Sequence, residues 1–208
     1  MGNAKRDLKL FKFYNEAGDK YPSTELNYKA ASALARKRFL CSLLQQNRRA
    51  LTLDIGCSDG LYKPYIRNHV GLDIALARLK KFTGRRVWAI AEHLPFKNRV
   101  FNRIFMSELL EHTWKRKQIL NECHRVLKSK GILIISVPFG KRLFHIQTNW
   151  DALEKYGVAY CPYVHGHFTK KYTRNLMKQS KFRIILLKMI KSRKGGNKFL
   201  IVKARKVI

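Results

Sequence analysis

Acidic residues are scarce in this chain. Its 208 residues include 13 Asp and Glu against 44 Lys and Arg, which gives a formal net charge of +31. A charge of this size bears on partners more than on the fold, and it favours a polyanionic partner. The hydrophobic content of 46% argues against a wholly disordered chain. The length fits a single ordinary domain.

Three further absences narrow the possibilities. No apolar run approaches the length of about 20 residues that a membrane-spanning helix needs. The basic N-terminal residues are not followed by an apolar stretch, so no secretory signal is expected. The four cysteines have no CxxC spacing, which favours free thiols in a reducing compartment and predicts a cytoplasmic protein. No metal is predicted, because Cys161, His165 and His167 lack the paired spacing of zinc ligands.

The chain divides into an N-terminal extension over residues 1–49 and an α/β domain over 50–208. A long amphipathic helix is predicted for 25–48. Strand and helix signals then alternate, which indicates βαβ units and a parallel sheet. A long loop at about 138–168 interrupts this rhythm, and such loops are usually functional. Strands are predicted at 51–55, 69–73, 86–90, 102–107 and 131–137, and helices at 60–67, 75–82 and 114–128.

The C-terminal part is predicted to add a helix over 170–180, capped by Thr169. Two strands follow over 182–190 and 197–204, and the Gly-Gly segment between them indicates an antiparallel hairpin. Gly131 is expected to form the turn between the preceding helix and its strand. From Lys155 onward the sequence has no acidic residue, so this part carries much of the excess positive charge.

A glycine-bearing turn after the first predicted strand is the strongest functional signal. Gly56 and Gly60 follow a short apolar run, and the second predicted strand ends at Asp73. Such a turn lets the backbone approach a nucleoside, while an acid about 20 residues further on takes the ribose hydroxyls. Asp59 inside the turn disfavours a pyrophosphate and tolerates a cationic ligand.

Further motifs follow the turn in a fixed order. They are Ala91-Glu92-His93-Leu94-Pro95-Phe96, Ser107-Glu108-Leu109-Leu110-Glu111-His112 and Ile132-Leu133-Ile134-Ile135-Ser136-Val137-Pro138. Over about residues 50–140 this series resembles the class I S-adenosylmethionine-dependent methyltransferases, particularly their small type-11-like branch. The resemblance implies a Rossmann-like, doubly wound α/β fold with a seven-stranded, mostly parallel sheet. The residue patterns themselves predict the antiparallel C-terminal hairpin and the N-terminal helical extension of this fold.

The resemblance also implies a site for S-adenosyl-L-methionine at the carboxyl ends of the first strands. The turn would hold the methionine side, the second strand the ribose, and the fourth strand the region of the methyl group. The implied cofactor-binding residues are Asp54, Gly56, Cys57 and Gly60 in the turn, Asp73 at the ribose, Ile74, Ala91 and Glu92 at the adenine, and Ser107, Glu108 and Leu109 near the methyl group.

The catalytic residue stays open at this point. A general base is needed only if the methyl acceptor must lose a proton. Neither an Asn-Pro-Pro-Tyr-like motif for base-amine methylation nor a cysteine pair for attack on a pyrimidine carbon occurs. The candidates are Glu108, Glu111 and His112 after the fourth strand, and His145, His165 and His167 in the long loop.

Three functions remain compatible with the sequence. The positive charge favours a methyltransferase acting on RNA, whereas many relatives act on a small molecule, lipid or quinone. The third possibility is a weak or inactive methyltransferase-like protein that binds RNA or a ribonucleoprotein. It is motivated by Ser58, Ile90 and Asn102, which stand where the resembling family has a glycine and two acids. The acceptor atom and oligomeric state are left undetermined.

Overall fold

A computed structural model describes residues 14–15, 31–113, 115–140, 168–191 and 198–207. Helices and strands alternate through this part of the chain, as the sequence predicts. The elements are α1 (Ala31–Gln45), β1 (Thr52–Ile55), β2 (His69–Asp73), α2 (Leu76–Lys81), β3 (Arg85–Trp88), β4 (Phe101–Ser107), α3 (Arg116–Val126), β5 (Leu127–Pro138), α4 (Lys170–Gln179), β6 (Phe182–Ile190) and β7 (Phe199–Lys206).

One seven-stranded sheet has the order β3-β2-β1-β4-β5-β7-β6. Strands β1 to β5 pair in parallel. Strand β7 lies between β5 and β6 and is antiparallel to both. The predicted seven-stranded, mostly parallel sheet with an antiparallel C-terminal hairpin is therefore confirmed.

The sheet buries both of its faces. On one face, α3 and α4 supply Leu120 and Met177 to a cluster with Ile104 and Leu133. On the other face, α1 packs through Leu40 and its neighbours against Phe105, Ile134 and Ile201. Burial on both faces explains why the central strands are nearly continuous apolar runs rather than alternating ones.

A buried arginine in β4 attaches α1 to the sheet. Arg103 donates from Nε to Thr52 Oγ1 at 3.0 Å and from Nη1 to the carbonyl oxygen of Leu44 at 2.8 Å. The second bond occupies a carbonyl in the last turn of α1, which has no partner within the helix. Burial lowers the pKa of Arg103 to about 10, so the guanidinium remains charged at neutral pH.

Two local predictions were wrong. The helix expected at 60–67 is only a 3-10 turn at Lys63–Tyr65. A proline near its start and the positive φ of +97° at Gly60 favour tight turns instead. Gly131 lies inside β5, which begins directly after α3. The preceding Lys130 has φ +59°, and a Cβ on Gly131 would lie 2.8 Å from a backbone oxygen, so a glycine is required there.

The predicted cap of α4 is confirmed, since Thr169 Oγ1 accepts a hydrogen bond from the Tyr172 amide at 3.1 Å. Helix α1 is described from Ala31, and its predicted start at residue 25 lies outside the described residues. Residues 141–167, most of the predicted loop, also lie outside them. None of the described helices is long and apolar enough to cross a membrane.

Candidate functional site

The carboxyl ends of β1, β2 and β4 meet at one edge of the sheet. The chain builds outward from β1 to β2 and β3, and then returns to place β4 on the other side of β1. In α/β sheets, ligands bind outside the carboxyl ends of the strands at this switch in strand order. The sequence-predicted cofactor residues in β1, β2 and β4 are therefore brought to one crevice.

The turn after β1 requires glycine for two reasons. Gly56 and Gly60 have φ of +75° and +97°, a region that side chains disfavour. A Cβ on Gly56 would also lie 2.6 Å from Leu109 Cδ1, and one on Gly60 would lie 2.9 Å from Phe82 Cδ2. The amides of Gly56 and Cys57 both donate to the carbonyl oxygen of Leu72, at 2.8 and 3.1 Å, which ties the turn to β2.

The carboxylate of Asp73 is held in one orientation at the end of β2. Its Oδ2 accepts from the Ser58 amide at 2.7 Å, and its Oδ1 accepts from the Ala75 amide at 2.8 Å. Burial raises the pKa of Asp73, while the two amide bonds oppose that rise. Each carboxylate oxygen can accept a further hydrogen bond, so the group can still receive a pair of hydroxyls.

Ser58 adopts the backbone conformation of the glycine that it replaces. Its φ is +52°, its amide binds Asp73, and its Oγ lies 3.2 Å from Arg78 Nη1. The turn is therefore kept despite the substitution, and the hydroxyl gains a partner from α2. The sequence could not indicate this contact, because Arg78 lies in a different element.

Two substitutions at Ser58 are expected to separate backbone strain from side-chain contact. Ser58→Ala keeps the left-handed conformation and loses the bond to Arg78, so it should lower the free energy of unfolding by about 1 kcal/mol. Ser58→Gly loses the same bond but relieves a strain of about 1 kcal/mol, so its stability should stay near that of the wild type. Denaturant titration checks both variants, and equal losses would contradict the role assigned to the strain.

The carboxylate of Asp54 is buried in β1, next to the glycine turn. Its Oδ2 lies 3.2 Å from Nε2 of His69, and both side chains are almost wholly buried. Burial raises the pKa of Asp54, and the bond to His69 opposes the rise. The His69 ring packs edge-on against Phe82, with 5.0 Å between ring centroids. Although the sequence places Asp54 in the cofactor turn, the structure directs its carboxylate to His69.

The predicted adenine side contains two residues that the sequence did not indicate. The carbonyl oxygen of Ile74 accepts from Asn15 Nδ2 at 3.1 Å and from Trp88 Nε1 at 2.8 Å. Asn15 Oδ1 also accepts from the Leu76 amide at 3.0 Å. Trp88 is half exposed, which leaves an indole surface beside Ile74. Asn15 belongs to the N-terminal extension, so no motif of the domain could have revealed it.

The adjacent Tyr14 lies on the opposite wall of the crevice. Its ring is edge-on to His112, with 6.4 Å between centroids. Tyr14 and Asn15 thus contact the segments that follow β4 and β2. Of the two other adenine-side predictions, Ala91 is buried, and Glu92 Oε1 accepts from Thr113 Oγ1 at 3.1 Å.

A chain of hydrogen-bonded polar side chains crosses the crevice where β4 and β5 end. Tyr62 Oη lies 3.4 Å from Ser107 Oγ, which lies 3.1 Å from Ser136 Oγ. Ser136 donates to Glu108 Oε1 at 2.9 Å, and Glu108 Oε2 pairs with Arg36 Nη1 at 2.7 Å. Ser107 and Glu108, both predicted site residues, therefore belong to one hydrogen-bonded group.

Arg36 comes from α1 and is 4% exposed. Its guanidinium also lies 4.2 Å from the centroid of the Phe199 ring. An arginine on a helix of so basic a chain is expected on a solvated or anion-binding face, but Arg36 instead neutralises a carboxylate inside the protein. Burial raises the pKa of Glu108, and the charge of Arg36 is the first influence opposing that rise.

Glu111 is buried, and its Oε2 has no hydrogen-bond partner among the described residues. Its Oε1 lies 3.8 Å from His112 Nε2. Burial, followed by repulsion from Glu108, raises the pKa of Glu111 well above its usual value. Burial also raises the pKa of Cys57, so that thiol stays protonated and is no nucleophile. His145, His165 and His167 lie outside the described residues.

Comparison with known proteins finds a matching family model and similar structures. Residues 53–135 match the family model described as a methyltransferase domain. The structure resembles that of 1,6-didemethyltoxoflavin-N1-methyltransferase from Burkholderia thailandensis, with bound 1,6-didemethyltoxoflavin and S-adenosylhomocysteine, at a TM-score of 0.74 and 16% identity over 98% of this chain and 90% of that one. The match to the methyltransferase domain model covers about two fifths of this chain, and the structural likeness shows that the two proteins share a fold.

Two curated proteins are similar to parts of this chain. An uncharacterized protein of Methanocaldococcus jannaschii is 36% identical over 117 residues, which cover 54% of this chain and 49% of that protein. Malonyl-[acyl-carrier protein] O-methyltransferase 1 of Coxiella burnetii is 37% identical over 67 residues, which cover 32% of this chain and 24% of that protein. The matched regions thus span less than half the length of either relative.

Proposed function

We propose that this methyltransferase domain binds S-adenosylmethionine and transfers its methyl group to RNA. The observation that carries the reaction is Asp73, fixed by two backbone amides beside the glycine turn at the switch in strand order. The observation that favours RNA is the net charge of +31.

The residues of the crevice fit S-adenosylmethionine. The oriented carboxylate of Asp73 suits ribose hydroxyls, and the half-exposed Asp59 places a negative charge in the turn, where a cationic ligand is favoured. At Gly56 and Gly60 no side chain covers the backbone of the turn. When bound, the cofactor supplies a methyl group already activated on a sulfonium. The task left to the protein is to hold the acceptor in line and near attack distance.

Ser107, Glu108 and Glu111 lie on the side where the acceptor would enter. Glu108 is already occupied by Arg36 and Ser136, so it orients the end of β4 rather than serving as a free base. The raised pKa of Glu111 favours its protonated form. We therefore assign no general base among these groups, which suits an acceptor that is nucleophilic without prior loss of a proton.

A small-molecule acceptor is the second candidate. It is favoured by the relatives and neighbours, because one is named for malonyl-[acyl-carrier protein] and another holds 1,6-didemethyltoxoflavin. On this alternative, turnover would not need nucleic acid and would depend little on salt. The inactive alternative is weakened by Ser58, which keeps the glycine-like turn, and by Asn102, whose Oδ1 accepts from the Leu51 amide at 3.3 Å.

Calorimetry with S-adenosylmethionine, on protein freed of copurified cofactor, tests the reaction. We expect saturable binding, and its absence at millimolar ligand would rule out both enzymatic functions. A titration with RNA between about 50 and 200 mM salt then tests the acceptor class, since phosphate contacts predict a steep loss of affinity. A flat salt profile would contradict RNA and leave the small-molecule alternative.

A further inference from the structure

Cationic side chains line the sheet edge opposite the crevice, where β5 and β6 begin and β7 ends. We define this amino-edge surface as Lys128, Lys130, Lys181, Arg183, Arg205 and Lys206. We propose that it binds the phosphodiester backbone of the acceptor RNA, away from the site of methyl transfer. The assignment deepens the proposed function and rests on its RNA acceptor.

The first argument is a pair of like charges in direct register. Arg183 of β6 lies opposite Arg205 of β7 in the antiparallel ladder, and both are exposed. Like charges at directly opposed positions of a sheet destabilise it. No acidic residue occurs from Lys155 onward, so neither strand offers a carboxylate to offset the repulsion.

The second argument concerns the groups beside this pair. Burial lowers the pKa of Lys206, and the positive charge of Arg99 lowers it further. Burial also lowers the pKa of His124, and Lys206 and Lys181 add to that shift, while its bond to the Val207 carbonyl opposes it. Every charged neighbour that moves these two pKa values is positive. The amino edge therefore concentrates positive charge within the fold.

The third argument is that most of these cations lack internal partners, although Lys206 donates to the carbonyl oxygen of Leu127 at 2.8 Å. Within the described ranges, the side chains of Lys128, Lys130, Lys181, Arg183 and Arg205 make no hydrogen bond or ion pair. The basic residues at the start of β3, on the other lateral side of the sheet, differ. Arg86 donates to the Lys80 carbonyl at 3.1 Å, and Arg85 donates to Asn68. Glu122 cannot balance this charge either, because both of its carboxylate oxygens already accept hydrogen bonds from Arg125.

A phosphodiester backbone is the occupant that this chemistry favours. Guanidinium groups match phosphate oxygens in a forked geometry, and a repeating anion can satisfy several cations in a row. A membrane surface is less suited, since interfacial binding usually also needs large apolar side chains such as Trp, Phe or Leu. In the described parts of β6 and the segment after β7, the exposed large apolar residues are Ile185 and Val207.

The position of this surface constrains the acceptor. Strand β4 alone has seven residues, which separates the two edges of the sheet by about 20 Å. An RNA that contacts the amino-edge surface and also reaches the crevice must extend around the sheet. We therefore expect a folded or extended RNA to be methylated better than a nucleoside or a very short oligonucleotide.

The test compares two double variants that each remove two positive charges. Arg183→Gln with Arg205→Gln changes the amino-edge surface, whereas Arg67→Gln with Arg85→Gln changes exposed arginines just before β2 and at the start of β3, on the far lateral side of the sheet from β6. The probe is an RNA hairpin of about 20 nucleotides, titrated at several salt concentrations. We expect the amino-edge variant to lose about tenfold in affinity and to reduce the log–log salt slope by about 1–2. The control variant should lose less than threefold.

The amino-edge variant should fold at least as well as the wild type, because it removes a repulsion and no internal contact. Equal losses in both double variants would overturn the proposal in favour of general charge. The proposal would also be wrong if the protein bound anionic phospholipid vesicles but not the hairpin, and if the amino-edge substitutions weakened that vesicle binding. The surface would then bind lipid. Calorimetry with S-adenosylmethionine should be unchanged in both variants. If the wild type binds no cofactor but the hairpin result holds, the surface stands and the proposed reaction fails.

Discussion

Asp73→Ala is expected to weaken S-adenosylmethionine binding by about 1–3 kcal/mol, or roughly 5- to 150-fold in dissociation constant. In the proposed function this carboxylate accepts hydrogen bonds from the ribose hydroxyls, and two backbone amides already orient it. Removing it leaves those hydroxyls without an acceptor in a largely buried position. Isothermal titration calorimetry of wild type and variant gives the difference directly.

The matched control is Asp59→Ala, which removes the same charge from the same crevice. Asp59 is half-buried, so its loss should weaken binding by less than about 1 kcal/mol through general electrostatics. Asp73→Asn adds a second comparison, because it keeps one oxygen that can hold a backbone amide. If Asp59→Ala and Asp73→Ala lose equally, the ribose role of Asp73 is wrong.

Arg36→Met is expected to lower the free energy of unfolding by about 2–4 kcal/mol. The substitution leaves Glu108 beneath α1 with no cation, although that side chain keeps 23% exposure. It also removes the contact with Phe199. Urea or guanidinium titration followed by circular dichroism measures the loss.

The double variant Arg36→Met with Glu108→Gln should recover much of that stability, because no buried charge then remains unpaired. The pH dependence gives an independent check. Removing Arg36 raises the pKa of Glu108 further, so the variant should be closest to wild type at low pH, where Glu108 is protonated. The deficit should grow as the pH rises. A deficit that does not change with pH, together with no recovery in the double variant, would show that packing alone is involved.

Most of the fold could be predicted from the sequence, because it depends on local patterns. The strand at 69–73 was predicted with the observed bounds, and β6 likewise at 182–190. Both are apolar runs between clear turn residues. The helix predicted at 60–67 was wrong because Gly60 and Pro64 favour tight turns there. The start of β5 was missed because Lys128 and Lys130 are polar and exposed, although the strand begins at Leu127.

The candidate site was only partly predictable. Gly56, Gly60 and Asp73 could be found, since their spacing along the chain reflects the geometry of one βαβ unit. The sequence could not indicate Arg36, Asn15 or Trp88. Each of these side chains contacts a residue of the crevice that lies in a different element of the chain. Arg36 in particular has the same local pattern as an exposed helix arginine. Only the packing of α1 on the sheet distinguishes the two.

The place of β7 between β5 and β6 has a consequence for how the protein is made. Residues 199–206 supply the central partner of both strands, yet they leave the ribosome after every other strand described here. Until then, β5 presents an open edge of apolar residues, which is a template for pairing with other chains. The nascent protein therefore has a late period of exposure to aggregation, when chaperone binding or slow translation would matter most.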